Sequence, residues 1–199
     1  MTDRETLDVY DAKAGEYAVL VGEDKGPDRQ LRRFLEQLPE NARVWDLGCG
    51  PGRSAGLMAA AGHRALATDA SEAMIALAGD RPGVEARLET FDDIAGDAEF
   101  DGIFANFSLL HAQEDALPLH IAAISKALKP KGIFHIGMKT GTGTKRDQIG
   151  RRYTYVTEDS LRGMFGQNDL IPTDVWFGES VGLDGVEAPW IVMQARKND

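Results

Sequence analysis

The glycine-rich stretch VWDLGCGPG at residues 44–52 restricts the fold of this chain more than any other segment. Val44 and Trp45 indicate a buried strand, Asp46 closes it, and glycine at every second position from 48 to 52 predicts a sharp turn into a helix. Such glycines let a ligand approach the main chain, and the free N–H groups at the start of the helix suit a carboxylate. Taken alone, the pattern is also that of an ordinary tight turn between a strand and a helix.

Strands and helices alternate after this turn. Strands are predicted at residues 42–48, 64–70, 84–90, 100–110, 132–140, 171–179 and 189–197, and helices at 54–61, 71–78, 115–128 and 157–165. The alternation predicts an α/β fold with a doubly wound, mostly parallel seven-stranded sheet and helices on both faces. No helix separates the last two strands, so they should pair as a hairpin through a loop at 179–188. Sheets of this kind bind ligands at the carboxyl ends of their central strands.

The first forty residues follow a different pattern. Apolar side chains at helical spacing predict one helix over Thr6–Leu20 and a second over Asp28–Leu38, with Gly26-Pro27 between them. We therefore expect an N-terminal helical cap at residues 1–40 and a single globular domain at residues 41–199.

Charge and cysteine content exclude several classes of protein. With 22 Lys and Arg against 32 Asp and Glu the formal net charge is −10, which argues against nucleic-acid binding because that needs a basic stripe. Cys49 is the only cysteine, so neither an intramolecular disulfide nor a multi-cysteine metal site can form. The N-terminal residues are polar and acidic, and no apolar run approaches the ~18 residues of a membrane helix. We expect a cytoplasmic protein that acts on a small molecule, without a metal, a nucleic-acid partner or a membrane; the oligomeric state is not indicated.

Three features strengthen the glycine turn as a ligand site. Asp46 directly precedes the glycines, Pro51 stiffens the loop, and Asp69 closes the next strand, where an acid can hold both hydroxyls of a ribose. With these residues the chain resembles the class I (Rossmann-like) S-adenosylmethionine methyltransferases over nearly its whole length. DLGCGPG is similar to their first motif, TDASEAM to the second, FDGIFANFSLLHA to the segment crossing the fourth strand, LKPKGIF to the turn before the fifth, and YDAKAGEY to a helix that closes over the cofactor.

The resemblance implies transfer of a methyl group from S-adenosylmethionine to a small-molecule acceptor. It implies that the backbone of Gly48 and Gly50 lines the methionine moiety, with Asp46 near its amino group. Asp69 would then take the ribose hydroxyls, and Met74 would lie against the adenine. The cofactor contacts implied in this way are Tyr10, Tyr17, Asp46, Gly48, Cys49, Gly50, Asp69, Ala70, Met74, Thr90, Phe91, Asp92 and Asn106. The two tyrosines either cap the methionine end or only pack their helix on the core.

One position departs from the pattern of this family. Many members carry an acid after the third strand whose side chain reaches the adenine amino group, whereas this chain has Thr90 there, followed by Phe91. The adenine is then read by the Phe91 backbone and by Asp92, or else the third strand ends later than predicted.

The candidates for the chemical step, Asn106, Ser108 and His111, follow the fourth strand, a segment that faces the transferring methyl group in the family. Holding donor and acceptor in line without water accounts for most of such an acceleration, and a base is needed only if the acceptor arrives protonated. His111 suits a general base because its ordinary pKa of ~6.5 lies near neutral pH. The alternative is that His111 caps its loop or packs beside the next helix.

The segment at residues 137–157 is rich in glycine and basic residues within an acidic protein. Its cations would bind an anionic acceptor, such as a carboxylate or phosphate group, and its tyrosines would form an aromatic wall. The alternative is a solvated loop whose charges bind nothing specific. The candidate acceptor contacts are Lys139, Lys145, Arg146, Arg151, Arg152, Tyr153 and Tyr155.

Three other functions compete with this hypothesis. A nicotinamide-dependent oxidoreductase is disfavoured because Gly-Cys-Gly-Pro-Gly lacks the third glycine of G-x-G-x-x-G in its place. A nucleic-acid or protein methyltransferase is disfavoured by the net charge and by Asn106-Phe107-Ser108-Leu109 where an N/D-P-P-Y motif would stand. A protein that binds S-adenosylmethionine without catalysis is compatible with every motif, since binding residues survive the loss of turnover.

Overall fold

The structure is a computed structural model that describes residues 3–22 and 26–199. Its helices are α1 (Arg4–Ala12), α2 (Ala14–Val21), α3 (Arg29–Glu36), α4 (Arg53–Ala60), α5 (Glu72–Gly79), α6 (Leu117–Ala127) and α7 (Glu158–Gly166). Its strands are β1 (Arg43–Leu47), β2 (Arg64–Asp69), β3 (Val84–Leu88), β4 (Phe100–Asn106), β5 (Leu128–Lys139), β6 (Thr144–Arg146), β7 (Arg152–Thr154), β8 (Leu170–Val181) and β9 (Glu187–Lys197).

Within the described residues, seven strands form one sheet in the order β3-β2-β1-β4-β5-β9-β8. The strands β1 to β5 run parallel, β9 pairs antiparallel with β5, and β8 pairs antiparallel with β9. The predicted fold class, a mostly parallel sheet with a final hairpin, is therefore confirmed. The hairpin strands are longer than predicted, because β8 continues to Val181 and β9 begins at Glu187.

Helices cover both faces of the sheet, as the alternation in β1 shows. Val44 packs with Phe34 of α3 in one apolar cluster, whereas Trp45 packs with Ile121 of α6 and Phe165 of α7 in another. Successive strand residues point to opposite faces, so each cluster is the core on one side of the sheet. α3 precedes residue 40 but already belongs to one of these cores. The division of the chain into a cap and a domain at residue 40 therefore stays a prediction.

The prediction of a single helix over Thr6–Leu20 is wrong, because α1 and α2 are separate. Lys13 lies between them with φ −114° and ψ 18°. In one straight helix Tyr10 and Tyr17 would lie about 10 Å apart along the axis. The break instead brings the two rings edge to face, with their centroids 5.5 Å apart.

The fourth strand is shorter than the predicted range 100–110 and ends at Asn106. Phe107 takes φ 55°, a left-handed conformation that costs a non-glycine residue on the order of 1 kcal/mol or more. Its N–H donates to Gly137 O at 3.1 Å, and a short 3₁₀ turn follows at Leu109–His111. The chain therefore turns at the end of β4 instead of continuing along the sheet.

The basic segment after β5 is folded, which the sequence does not predict. β6 and β7 form a separate antiparallel pair, with Lys145 opposite Tyr153. Tyr153 and Thr154 are buried, and the Thr154 hydroxyl donates to Ala112 O at 2.7 Å. The hairpin thus packs against the turn that follows β4.

We expect Gly102→Ala to destabilise the domain by ~1–3 kcal/mol, because the added methyl overpacks the contact between β4 and α3. A Cβ at Gly102 would lie 2.6 Å from Phe34 Cζ and 2.8 Å from Leu38 Cδ2. The matched control is Gly163→Ala on the exposed side of α7, where a Cβ meets no atom within 4 Å. There alanine should stabilise by about 0.5–1 kcal/mol. Urea unfolding of both variants checks this, and equal unfolding free energies would contradict the packing argument.

Candidate functional site

The glycine turn is held against the neighbouring strand by backbone and carboxylate hydrogen bonds. The N–H groups of Gly48 and Cys49 donate to Thr68 O at 2.8 and 2.9 Å. Gly50 N donates to Asp69 Oδ2 at 2.9 Å, and Ser71 N donates to the other oxygen of that carboxylate at 2.9 Å. Asp69 therefore fixes the turn and the start of α5 together.

Gly48 is required by packing as well as by its φ of 70°. A Cβ at this position would lie 2.3 Å from Ser108 Cβ, because the chain after β4 passes directly over the turn. Ser108 Oγ donates to Leu47 O at the end of β1. The sequence predicts that a ligand comes close to the main chain of the glycine turn. At Gly48 the structure places the Ser108 side chain there.

A cavity of about 280 Å³, the first cavity, lies at the carboxyl ends of β1, β2 and β4. Every residue to which the family resemblance assigns a cofactor contact lines it, and His111 does so too. The lining residues that were expected are Tyr10, Tyr17, Asp46, Gly48, Cys49, Gly50, Asp69, Ala70, Met74, Thr90, Phe91, Asp92 and Asn106. Their contacts with a bound molecule stay predictions.

The carboxylates of Asp46 and Asp69 make the first cavity favourable for a cation. Asp46 is 3% exposed, and its Oδ2 accepts from Ala55 N at 2.9 Å. Burial, and further the Asp69 charge, raise the pKa of Asp46 to about 7, against the lowering effect of the Ala55 bond. Burial also raises the pKa of Asp69 above its ordinary value. A positive group bound near these carboxylates would stabilise their ionised forms.

The third strand ends at Leu88, so the alternative of a longer strand is wrong. Thr90 caps a 3₁₀ turn at Phe91–Asp93, where its hydroxyl accepts from Asp92 N at 3.3 Å and donates to Asp93 Oδ2 at 2.8 Å. The Thr90 hydroxyl therefore makes its hydrogen bonds within the turn. Glu89, Phe91 and Asp92 line the first cavity beside Thr90, and recognition of the adenine by Phe91 and Asp92 stays a prediction.

A chain of hydrogen bonds joins α1, the turn after β4 and β7. His111 Nδ1 lies 2.7 Å from Arg152 O, which can only accept, so this nitrogen carries the proton. His111 Nε2, 2.8 Å from the Tyr10 hydroxyl, is then the acceptor, and Arg151 Nη1 donates to the same hydroxyl at 3.0 Å. Burial, and further the Arg151 charge, lower the pKa of His111 to about 4. The ring is therefore neutral at pH 7, with both nitrogens engaged.

Asn106, another of the three candidates for the chemical step, is oriented by His135. Gln194 Nε2 donates to His135 Nδ1 at 3.1 Å, which leaves His135 Nε2 to donate to Asn106 Oδ1, also at 3.1 Å. His135 is fully buried, and burial lowers its pKa to about 3. It is a neutral structural residue, and it fixes the amide of Asn106 at the wall of the first cavity.

A second cavity of about 150 Å³ adjoins the first. Both cavities are lined by Tyr10, Tyr17, Val21, Phe107 and His111, which form a shared wall. The second cavity alone is lined by Leu20, Leu110, Lys139, Arg151, Tyr153, Ser180, Val181, Gly182, Leu183, Ala188 and Trp190.

Only part of the predicted acceptor set lies at this second cavity. Lys139, Arg151 and Tyr153 line it, whereas Arg146 and Tyr155 line neither cavity. The Arg146 guanidinium pairs with Asp3, with Nη2 to Oδ1 at 2.8 Å, and so binds the hairpin to α1. Tyr155 lies beside Tyr153, with ring centroids 6.4 Å apart.

Some residues at the site were not found from the sequence. Asp11 of α1 accepts from Ser71 Oγ at the start of α5, which places α1 over the first cavity. Trp190 lies opposite Lys139 in the β5–β9 ladder and lines the second cavity. Trp190 could have been noticed as an aromatic residue at the start of the last predicted strand. Its position opposite Lys139 depends on the register between β5 and β9, which the sequence does not specify.

The described residues contain no group of three or more His, Cys, Asp or Glu side chains that could hold a metal ion. In the same residues, no helix combines the length and the apolar character needed to cross a bilayer.

Residues 44–132, which carry the glycine turn, both carboxylates and the end of β4, match the methyltransferase-domain family. They form a methyltransferase domain. The chain is 42% identical over 109 residues to trans-aconitate 2-methyltransferase of Variovorax paradoxus, a match that covers 51% of this chain and 40% of that protein. It is 34% identical over 132 residues to the cypemycin N-terminal methyltransferase of a Streptomyces species, covering 62% and 54%. The chain thus spans about half the length of these curated relatives.

A solved structure is similar over almost the whole methyltransferase domain and the elements around it. It is the 1,6-didemethyltoxoflavin-N1-methyltransferase of Burkholderia thailandensis, with bound 1,6-didemethyltoxoflavin and S-adenosylhomocysteine. The identity is 25% and the TM-score is 0.75, over 98% of this chain and 88% of that one. The elements outside residues 44–132, including α1 and β9, therefore have counterparts in a methyltransferase.

We expect His111 of this methyltransferase domain to stay neutral from pH 8 to pH 5, with the proton on Nδ1. Burial lowers its pKa from the ordinary 6.5 to about 4, so its contribution to stability is full above pH 6.5 and is lost as the pH falls from 6.5 towards 4. Long-range ¹H–¹⁵N NMR spectra of the histidine rings check both statements, with His111→Gln to assign the signal. A His111 ring that titrates near pH 6.5 would contradict them.

Proposed function

We propose that this chain transfers a methyl group from S-adenosylmethionine to a small-molecule acceptor. The observation that carries the proposal is the placement of Asp46 and Asp69, on either side of the glycine turn, in the wall of one cavity. Small-molecule methylation is also the activity in the name of the Burkholderia structure, of which the match covers 88%. The net charge of −10 supports a small acceptor over a nucleic acid.

The residues present fit this cofactor. Asp46 has its pKa raised by burial and by a second carboxylate, and the cofactor's ammonium group would relieve that repulsion. Asp69 uses both oxygens for backbone N–H groups and keeps further lone pairs for the ribose hydroxyls. Met74 is buried at the start of α5 and lines the same cavity, where it offers an apolar surface to the adenine.

The chemistry of the bound cofactor is an electrophilic methyl group on a sulfonium: an acceptor lone pair forms the new bond to carbon as the sulfur–carbon pair returns to sulfur. The residues of this chain have to align the acceptor and exclude water. Tyr10, Tyr17 and Phe107 are suited to this because they line both cavities, at the place where the cavities meet.

A strong general base is not part of the proposal. His111 is neutral at pH 7, but a conjugate acid with a pKa of about 4 makes it a weak base, and Tyr10 occupies its lone pair. We propose that His111 holds Tyr10 in position and that the acceptor reacts through a lone pair that is already available. Asn106, fixed by His135, would contact the reacting groups by its amide.

A second candidate is a protein that binds S-adenosylmethionine without turnover, since the cavity and the carboxylates would serve it equally. We favour catalysis because a second cavity adjoins the first, which a pure cofactor binder does not require. We also propose a location in the cytoplasm, on the sequence grounds given above, to be tested by cell fractionation.

We expect calorimetric titration to show micromolar-range binding of S-adenosylmethionine and S-adenosylhomocysteine, and Asp69→Asn to weaken it at least tenfold. In this proposal Asp69 accepts from the ribose hydroxyls as well as from the backbone of the glycine turn and of Ser71, and a carboxamide accepts fewer hydrogen bonds than a carboxylate. The control is Asp159→Asn, an exposed position in the first turn of α7. Absence of heat from well-folded wild-type protein would refute the cofactor, and binding without methylation of any acceptor would favour the second candidate.

The raised pKa of Asp46 predicts a pH dependence for the same titration. An ammonium group is bound by the ionised carboxylate, so affinity for S-adenosylhomocysteine should rise by up to about tenfold between pH 6 and pH 8. In the free protein the sign is opposite: the stability contributed by a raised carboxyl pKa is present at low pH and is lost as the pH rises towards 7. Asp46→Asn should bind more weakly with no such rise, and a persisting rise in that variant would assign it to another group.

A further inference from the structure

We propose that the second cavity holds the methyl acceptor and that this acceptor is a small ring compound with an acidic group, bound through that group by Lys139. The proposal rests on the proposed function, because it assigns the substrate class of the same site. It uses features of the second cavity that cofactor binding leaves unexplained.

The first feature is the aromatic lining of the second cavity. Tyr10, Tyr17, Phe107, Tyr153 and Trp190 all line it, within a volume of about 150 Å³. Aromatic side chains favour flat apolar partners through stacked or edge-to-face contacts. A single substituted ring fits this lining better than a flexible chain or a polymer segment.

The second feature is the ammonium group of Lys139, which has no ion-pair partner among the described residues. Its ammonium lies 4.0 Å from the centroid of the Tyr153 ring and lines the second cavity. Among the described residues, no carboxylate lies within ion-pair distance of this ammonium, and it donates no hydrogen bond. Partial burial lowers its pKa, although the more distant Asp184 charge opposes the shift. A half-buried cation of this kind is stabilised by a bound anion.

Arg151 supports the site but does not supply its free charge. Its side chain is only 3% exposed, and its Nε donates to Asp147 at 2.9 Å. The Asp184 carboxylate, 3.9 Å from Arg151 Nη2, is a second negative charge beside the guanidinium. The Nη2 group nevertheless has no hydrogen-bond acceptor, although it lies 2.8 Å from Asp147 Oδ2. Arg151 is therefore held by two carboxylates, whereas the Lys139 ammonium has no ion-pair partner among the described residues and is the cation open to a bound acid.

The positions of these groups orient the acceptor. Lys139 and Trp190 line only the second cavity, whereas Tyr10, Phe107 and His111 line both. An acidic group on Lys139 therefore lies away from the first cavity, and the opposite edge of the ring faces the shared wall. The acid is the binding group, and the methylated atom is elsewhere on the ring. An ammonium-bearing acceptor is disfavoured because it would meet Lys139.

The test is direct binding of matched probes to the full chain saturated with S-adenosylhomocysteine. The probes are benzoate and a series of hydroxybenzoates and aminobenzoates, each paired with its uncharged carboxamide. Ligand-observed NMR gives the affinities, and quenching of Trp190 fluorescence, absent in Trp190→Phe, shows that the second cavity is occupied. We expect the best acids to bind at least tenfold more tightly than their amides.

The variants test the role of Lys139. Lys139→Gln should abolish the preference for acids, whereas Lys139→Arg should keep it. Lys126→Gln, an exposed cation at the end of α6, is the control and should behave as wild type. Thermal unfolding of each variant shows that it folds, and a Lys139→Gln that fails to fold leaves the acid–amide comparison in the wild type to decide.

The outcomes separate this proposal from the proposed function. If S-adenosylhomocysteine does not bind the wild type, both are overturned. If it binds but acids and amides bind alike, or neither binds, or folded Lys139→Gln keeps the preference, the acidic acceptor is overturned and the cofactor assignment stands. A preference for acids that requires Lys139 supports the proposal whether or not any probe is methylated.

Discussion

The hydrogen bond from Gly50 N to Asp69 is the interaction on which the site depends, because it joins the glycine turn after β1 to the end of β2. The same carboxylate accepts from Ser71 N and so sets the start of α5. A parallel sheet brings the ends of neighbouring strands to one edge, and this carboxylate fixes the backbone of both loops there. The arrangement keeps Asp46 and Asp69 in one wall, at the cost of raised pKa values that a cationic ligand would relieve.

A second set of contacts holds α1 over this edge. Arg151 donates to Tyr10, and Tyr10 donates to His111, so that residues far apart in the chain form one polar network where the two cavities meet. The pair Arg146–Asp3 and the bond from Arg152 N to the Thr6 hydroxyl attach the hairpin to the same helix. The two cavities are therefore coupled through α1, and displacement of this helix would open both.

Much of the lining of the first cavity could be predicted, because its residues are adjacent in sequence to strand ends. Asp46 lies near the end of β1 and Asp69 closes β2, and the alternate glycines between them predict a sharp turn. The turn at Phe107 could not be predicted, because its left-handed conformation is unfavourable locally and is held by a hydrogen bond to Gly137. The break at Lys13 could not be predicted either, since the apolar spacing continues through it. The hairpin β6–β7 was missed since its strands are three residues each and carry no alternating pattern.

The sequence by itself determined the fold class, the glycine turn and the acids that flank it, because strand periodicity and short-range turn chemistry are local properties. Tertiary structure alone decided which basic residues face a cavity. Arg146 and Lys139 look alike in sequence, yet one is neutralised by Asp3 and the other is left against Tyr153 without a carboxylate in the described residues. That difference arises from the register of β9 on β5 and from the docking of α1, which no local pattern specifies.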